Sequence, residues 1–295
     1  MGALILLGAC SSSPPGATPQ PGASSTPSPS PTSFLPPSSA TVEAASPTPV
    51  PLALVVNGEA VTLDEFNAAL QRFHAGVPDA PTEEALQRVT ADYIAQILLS
   101  QGAAEAGFVV DDAALQARLD ELAQEIGGAE ALEAWQAANF YTPETFGREL
   151  RWTMAAAWMR DQIAAGVPTS MEQVRARQVR ASSRAEADEV LAQLAGGTSF
   201  DLMAEIYDPL GLGELGWFPR GYLLEPAIED AAFALEPGAY SGVIETSVGF
   251  HIIQVTDRAA DRPLEPDALW TLQKQAVADW VAARQAQGAI EILVP

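Results

Sequence analysis

From residue 52 onward, apolar residues recur at helical spacing, and past residue 170 helical and alternating stretches mix. Residues 54 to 57, Leu-Val-Val-Asn, form a short apolar run ending at Asn57-Gly58, a turn signal. Thr62 then offers a helix cap, and Glu65, three positions on, closes a capping box. Leu63, Phe66, Leu70 and Phe73 give that helix one apolar face. The stretch from Thr82 to Ala106 carries Leu86, Val89, Tyr93, Ile97 and Leu98 at the same spacing, with Glu83 and Glu84 suited to a first turn. Asp111 to Ile126 repeats the pattern and is closed by Gly127-Gly128. Ala129 to Asn139 and Pro143 to Ala165 follow, the second opening with Pro in its allowed first-turn place. This predicts an all-α region of about five helices without a catalytic constellation.

After Gly166-Val167-Pro168 the grammar changes. Val174 to Arg180 alternates and predicts a strand; Ser183 to Leu194 and Ser199 to Tyr207 predict helices. Gly211, Gly213 and Gly216 punctuate short apolar runs, and Gly249 to Val255 is β-like. Residues 266 to 290 return to helix, with Leu269, Leu272, Val277, Trp280 and Val281 among the apolar positions. The whole reads as α+β: a helical N-terminal module completed by a C-terminal helix, with a compact α+β unit inserted.

Composition narrows the chemistry. The chain has 295 residues and a formal net charge of -23, against the basic face that nucleic acid needs. A lone Cys excludes an intramolecular disulfide and a Cys-cluster metal site, and two His, His74 and His251, leave little for a zinc site. Trp135, Trp152, Trp158 and Trp280 read as helix-packing residues, with the lining of an apolar groove for client peptides as the other reading. Arg175, Arg177 and Arg180 read as sharing one strand face, too few to make a phosphate site.

Of the 23 Pro, twelve fall between Pro14 and Pro51 among Ser, Thr, Ala and Gly. Such a segment buries too little apolar surface to offset its ordering entropy, so residues 11–51 are expected to be a disordered tether. Met1 to Ala9 is nearly all apolar and too short to span a bilayer. Leu7-Gly8-Ala9-Cys10 resembles a bacterial lipobox, which implies a signal peptide over 1–10 and lipidation of Cys10.

The segment Val174 to Arg258 resembles a parvulin domain, the PpiC-type peptidyl-prolyl isomerase fold. Its carriers are Gly213-Glu214-Leu215-Gly216-Trp217-Phe218, Arg220-Gly221, Glu229 to Leu235, Gly238, Ser241-Gly242-Val243, Thr246 and Gly249-Phe250-His251-Ile252-Ile253. The strand ending in Asn-Gly, the helices after it and the return helix resemble SurA-like and PrsA-like foldases. The resemblance implies a helical chaperone module over 52–170, a parvulin domain over 171–260 and a C-terminal helix over 261–295 packing on the first.

It also implies a site. In the family an apolar pocket holds the Pro ring beside two facing His and a Cys or Asp. His251 matches the second His and Thr246 the hydroxyl residue ahead of it, while Gln178 stands where the first His falls and Asp208 in place of the Cys or Asp. Gln exchanges hydrogen bonds but does not change charge near neutral pH. Leu215, Leu223 and Ile228 match the substrate-binding positions, with Phe233 in the helix behind them. Rotation about a prolyl bond cleaves nothing, so no cofactor and no metal are implied. The expected partners are unfolded or nascent secreted polypeptides with X-Pro bonds and, through the lipid anchor, the membrane; the expected location is extracytoplasmic. A non-catalytic holdase with a degenerate parvulin domain is the alternative, and a structural assembly lipoprotein the third.

Overall fold

A computed structural model describes residues 50–294; Cys10 and residues 11–49 of the expected tether lie outside the described residues. The first strand, β1 (Leu52–Val56), turns at Asn57-Gly58 into β2 (Glu59–Thr62). Both turn residues have positive φ, 51° and 89°, the geometry that lets a two-residue hairpin follow the strand twist. Thr62 ends β2 and caps α1 (Leu63–Gly76) through the expected reciprocal bonds with Glu65.

Four more helices follow: α2 (Thr82–Glu105), α3 (Asp112–Ile126), α4 (Ala129–Ala138) and α5 (Pro143–Ala165). They match the expected bounds to within a residue at each end, and no side chain caps α2, which Pro81 precedes. The inserted unit comprises β3 (Ser170–Ala181), α6 (Arg184–Ala195), α7 (Phe200–Tyr207), β4 (Glu214–Pro219), α8 (Pro226–Ala234), β5 (Ile244–Thr246) and β6 (Gly249–Pro263). Both β3 and β6 outrun the apolar alternation that predicts them, because backbone pairing continues where side chains turn polar. Buried Gln173 pins this extension, its amide donating to the carbonyls of Arg262 and Pro263 at 2.8 and 3.1 Å.

The chain returns through α9 (Pro266–Gln287) and ends in β7 (Ile290–Ile292), a strand the pattern does not predict. β7 pairs with β1, giving a sheet of order β2-β1-β7. Phe66, Tyr93, Ile97, Leu98 and Trp152 are buried against that sheet, with Trp280 and Val281 of α9 packed on them. The indole of Trp280 lies where a Cβ on Gly102 would be, so a glycine that weakens a helix interior by about 1 kcal/mol here makes room for the return helix. Thus Trp152, Trp158 and Trp280 pack helices, Trp158 stacking on Phe108 at 4.7 Å; Trp135 stays 45% exposed beside Tyr141 and Phe146.

The second sheet has order β4-β3-β6-β5. On one face Val179 and Ile252 meet Val190 and Leu194 of α6 and Phe200 and Met203 of α7. On the other, Ala176, Ile253 and Val255 meet Phe218 and the α8 residues Ile228 and Phe233. Strand side chains alternate between faces, so each residue of β3 and β6 is assigned to one layer by parity.

Candidate active site

Gln178 and His251 reach each other by register. In the β3–β6 ladder Arg180 stands opposite His251 and Gln178 opposite Ile253, so all four share the α8 face and Gln178 is the diagonal neighbour of His251. Gln178 Oε1 lies 2.8 Å from His251 Nδ1, and Thr246 Oγ1 lies 2.9 Å from His251 Nε2. With the amide oxygen facing the ring, Nδ1 carries the proton and Nε2 accepts from the Thr246 hydroxyl. The Thr246 oxygen also accepts from the backbone N–H of Val248 at 3.2 Å, which holds it in the β5–β6 turn. His251 is buried, and burial first, then the Arg180 guanidinium, hold its pKa below the usual imidazole range, with Glu225 opposing. The three side chains are therefore an uncharged chain of hydrogen bonds at neutral pH.

The four apolar candidates gather in the core on the same face. Leu215 and Leu223 are partly exposed, whereas Ile228 and Phe233 are buried and form the floor. The guanidinium of Arg220 sits 4.4 Å over the Phe233 ring and closes it from outside.

Asp208 is not brought into the chain of Gln178, His251 and Thr246. It ends α7, and its carboxylate accepts the N–H groups of Gly211 at 2.9 Å and Gly213 at 3.1 Å. Those two bonds, in that order, hold its pKa below the ordinary carboxylate value. Its effect on the site passes through the backbone: the N–H of Gln178 donates to the Gly213 carbonyl at 2.8 Å. Gly213 has φ +66°, and a Cβ there would collide with the Gln178 carbonyl oxygen, so glycine is required.

The arginines of β3 correct the expected pattern. Arg177 belongs to the opposite face, pairing with Asp201 of α7 and lying over the Phe200 ring, and Arg175 pairs with Glu214. Arg180 alone faces the site, because period two separates odd from even positions on β3.

Glu229 is a residue whose role sequence reading missed. Buried in the first turn of α8, it accepts from the backbone N–H groups of Gly221 (2.8 Å), Tyr222 (3.1 Å) and Leu223 (3.3 Å). One carboxylate thus fixes the loop that carries Leu223. Its place in the Glu229-Asp230 motif was visible; the three amides converging on it were not. Among the described residues no group of three His, Cys, Asp or Glu gathers as a metal ligand set, and no helix is long and apolar enough to cross a membrane.

Residues 168–257 match the rotamase family, described as the PPIC-type PPIASE domain. The chain is 34% identical over 96 residues to the foldase protein PrsA of Geobacillus sp. strain WCH70, covering 30% of this chain and 34% of that protein. It is 31% identical over 106 residues to the peptidyl-prolyl cis-trans isomerase PIN4 of Gibberella zeae, covering 34% of this chain and 79% of that protein. A crystal structure of the peptidylprolyl isomerase PrsA from Bacillus cereus aligns with a TM-score of 0.45 at 20% identity, over 77% of this chain and 84% of that one. The chain spans about a third of the length of the PrsA relatives it matches.

Proposed function

Since the chain belongs, through residues 168–257, to the PPIC-type peptidyl-prolyl isomerase family, we propose that it is a peptidyl-prolyl cis/trans isomerase and folding factor for secreted proteins. In this reading it works outside the cytoplasm, held to the membrane by a lipid on Cys10 and a tether over residues 11–51, with clients handled by the helical module. The observation that carries the catalytic part is the uncharged chain Gln178–His251–Thr246 on the same sheet face as Leu215, Leu223 and Ile228.

Isomerisation must weaken amide resonance, the origin of a barrier near 20 kcal/mol. The planar amide is charge-separated and well solvated; the twisted amide is less so. A prolyl ring resting against Leu215 and Leu223, over the buried Ile228 and Phe233, leaves water behind and loses more solvation in the planar form than in the twisted one. The twisted prolyl nitrogen regains a lone pair, and the side-chain amide of Gln178 can meet the changing dipole without ionising, while Thr246 holds His251 in its tautomer. No cofactor enters. Gln178, Asp208, Thr246 and His251 in polar roles, and Leu215, Leu223, Ile228 and Phe233 around the ring, form the proposed site; Asp208 acts by shaping the loop beneath Gln178.

The test follows cis/trans exchange of an Ala-Pro peptide by NMR with the full chain, beside His251→Ala. Accelerated exchange that falls at least tenfold in the variant supports the reading, about 1.4 kcal/mol of barrier. Exchange no faster than in buffer would overturn it. A holdase is the second reading, favoured by an apolar groove of about 730 Å3 on the helical module, lined by Leu86, Ile94, Ile292 and Val294. Suppressed aggregation of an unfolded client without accelerated exchange would select it.

A further inference from the structure

We propose that Arg180 is a specificity-determining residue of this site, selecting prolyl bonds next to an acidic side chain. The inference rests on the isomerase reading of the site and adds a substrate class to it.

Three observations carry it. Arg180 stands directly opposite His251 in the β3–β6 ladder, so its side chain leaves the sheet on the face that holds the site. Its stem runs past Gly249 on that face: Cγ lies 3.6 Å from the position a Cβ there would take. Arg180 is exposed, and among the described residues its guanidinium has no ionic partner. Among the described residues, twelve of the fourteen arginines pair with a carboxylate, Arg72, Arg88, Arg118, Arg148, Arg151 and Arg175 among them, while Arg160 and Arg180 do not.

In a chain with 38 acidic residues against 15 basic ones, a cation left unpaired at a site is an electrostatic exception. Asp208 spends its carboxylate on the backbone amides of Gly211 and Gly213. Glu225, the acid that acts on His251 from the α8 side, accepts from the Ser247 hydroxyl at 3.1 Å and forms no ion pair with Arg180. The guanidinium therefore keeps its donor fork free for a carboxylate brought by the substrate, and a fork matches a carboxylate in two parallel bonds. The net charge of -23 opposes an acidic peptide in general, which makes this position selective and not merely attractive.

The experiment compares Glu-Pro, Ala-Pro and Lys-Pro peptides with the full chain, Arg180→Gln and Arg180→Glu. Turnover is read as kcat/KM by NMR exchange, and binding of the same peptides is read separately from backbone amide shifts near His251. The expected result is a Glu-over-Lys preference of about fivefold at low salt in both readouts, shrinking toward unity at 1 M salt. It is expected to be absent in Arg180→Gln and inverted in Arg180→Glu. A wild type without preference, or a preference that persists in Arg180→Gln, would overturn the assignment. Turnover without charge preference leaves the isomerase reading standing and removes this one. Arg180-dependent preference in binding with no turnover of any peptide does the reverse. Failure of every peptide to bind removes both.

Discussion

Gln178 Oε1 and His251 Nδ1 lie 2.8 Å apart across the β3–β6 ladder, and this pair, not a pair of imidazoles, centres the proposed site. The amide does part of what a second imidazole would do: it accepts from Nδ1 and fixes the tautomer. It does not take up charge. Gln178→Ala leaves the buried Nδ1–H without a partner, which is expected to lower unfolding stability by about 1–3 kcal/mol. Urea unfolding followed by far-UV circular dichroism checks this, and an unchanged midpoint would mean water replaces the amide without loss. Gln178→His is expected to keep the fold and add a pH dependence to isomerisation near neutrality.

The pH dependence of stability follows from His251. Its pKa in the folded chain lies below the usual imidazole value, so the unfolded chain binds the extra proton first as pH falls. The contribution is present in full above the unfolded pKa of about 6.5 and is lost as pH drops through the folded value. Melting temperature is therefore expected to fall between pH 7.5 and 5.5 more steeply in the wild type than in His251→Gln. Equal slopes would place the pH response elsewhere, among the many carboxylates.

Glu229 holds Gly221, Tyr222 and Leu223 by their amides and so sets where Leu223 meets a proline ring. Glu229→Gln keeps the shape but loses the charge that strengthens these bonds and one acceptor site. A loss of about 1–3 kcal/mol in stability is expected, with KM rising more than kcat falls. A variant with native kinetics and stability would show that the loop holds its shape unaided.

Gly213→Ala tests the close approach under Gln178. A methyl group at φ +66° would strike the Gln178 carbonyl, and the loop must move for it to fit. Backbone strain of about 1–3 kcal/mol is expected, with displaced amide resonances for Gln178 and His251 in NMR spectra. Gly197→Ala, also at positive φ but with open space around it, is expected to cost less and leave those resonances in place.

A last prediction concerns the helical module. Glu149 of α5 accepts from Tyr93 at 2.7 Å and Tyr141 at 2.9 Å and pairs with Arg72 at 3.2 Å, all largely buried. Burial, then the Glu149 charge, push both tyrosines well above the usual phenol pKa. Glu149→Ala strands a buried guanidinium and is expected to cost about 3–5 kcal/mol, read by denaturant unfolding. The module's unfolding, tracked by Trp152 fluorescence, is expected to move to lower denaturant.

Much of the fold was legible because its signals are short-range. The helix α1 announces itself through Thr62 and Glu65, three residues apart, and α5 through Thr142-Pro143. For β2 the only such signal is the Asn57-Gly58 turn before it, and β7 has none. β7 forms because Ile290, Glu291 and Ile292 meet Val56, Val55 and Leu54, and Ala289 N–H reaches Asn57 Oδ1 across 232 residues. No local period encodes a partner at that distance.

The same division runs through the site. The order of residue types from Gln178 to His251, with Gln in place of an expected His, is a property of the sequence alone, and it identified the domain; that His251 is neutral as well follows from its burial. The helices and the Asn57-Gly58 turn were equally settled there, since period, capping and positive φ act within a few residues, whereas the need for glycine at Gly213 comes from the distant Gln178 carbonyl. Tertiary structure decided which groups meet: Asp208 turns to its own loop, Glu229 gathers three amides, and Arg177 and Arg180, three residues apart, face opposite layers. A carboxylate's partner depends on where backbone N–H groups converge after folding, and a strand residue's layer depends on which helix covers its face. Both are set by packing between distant segments.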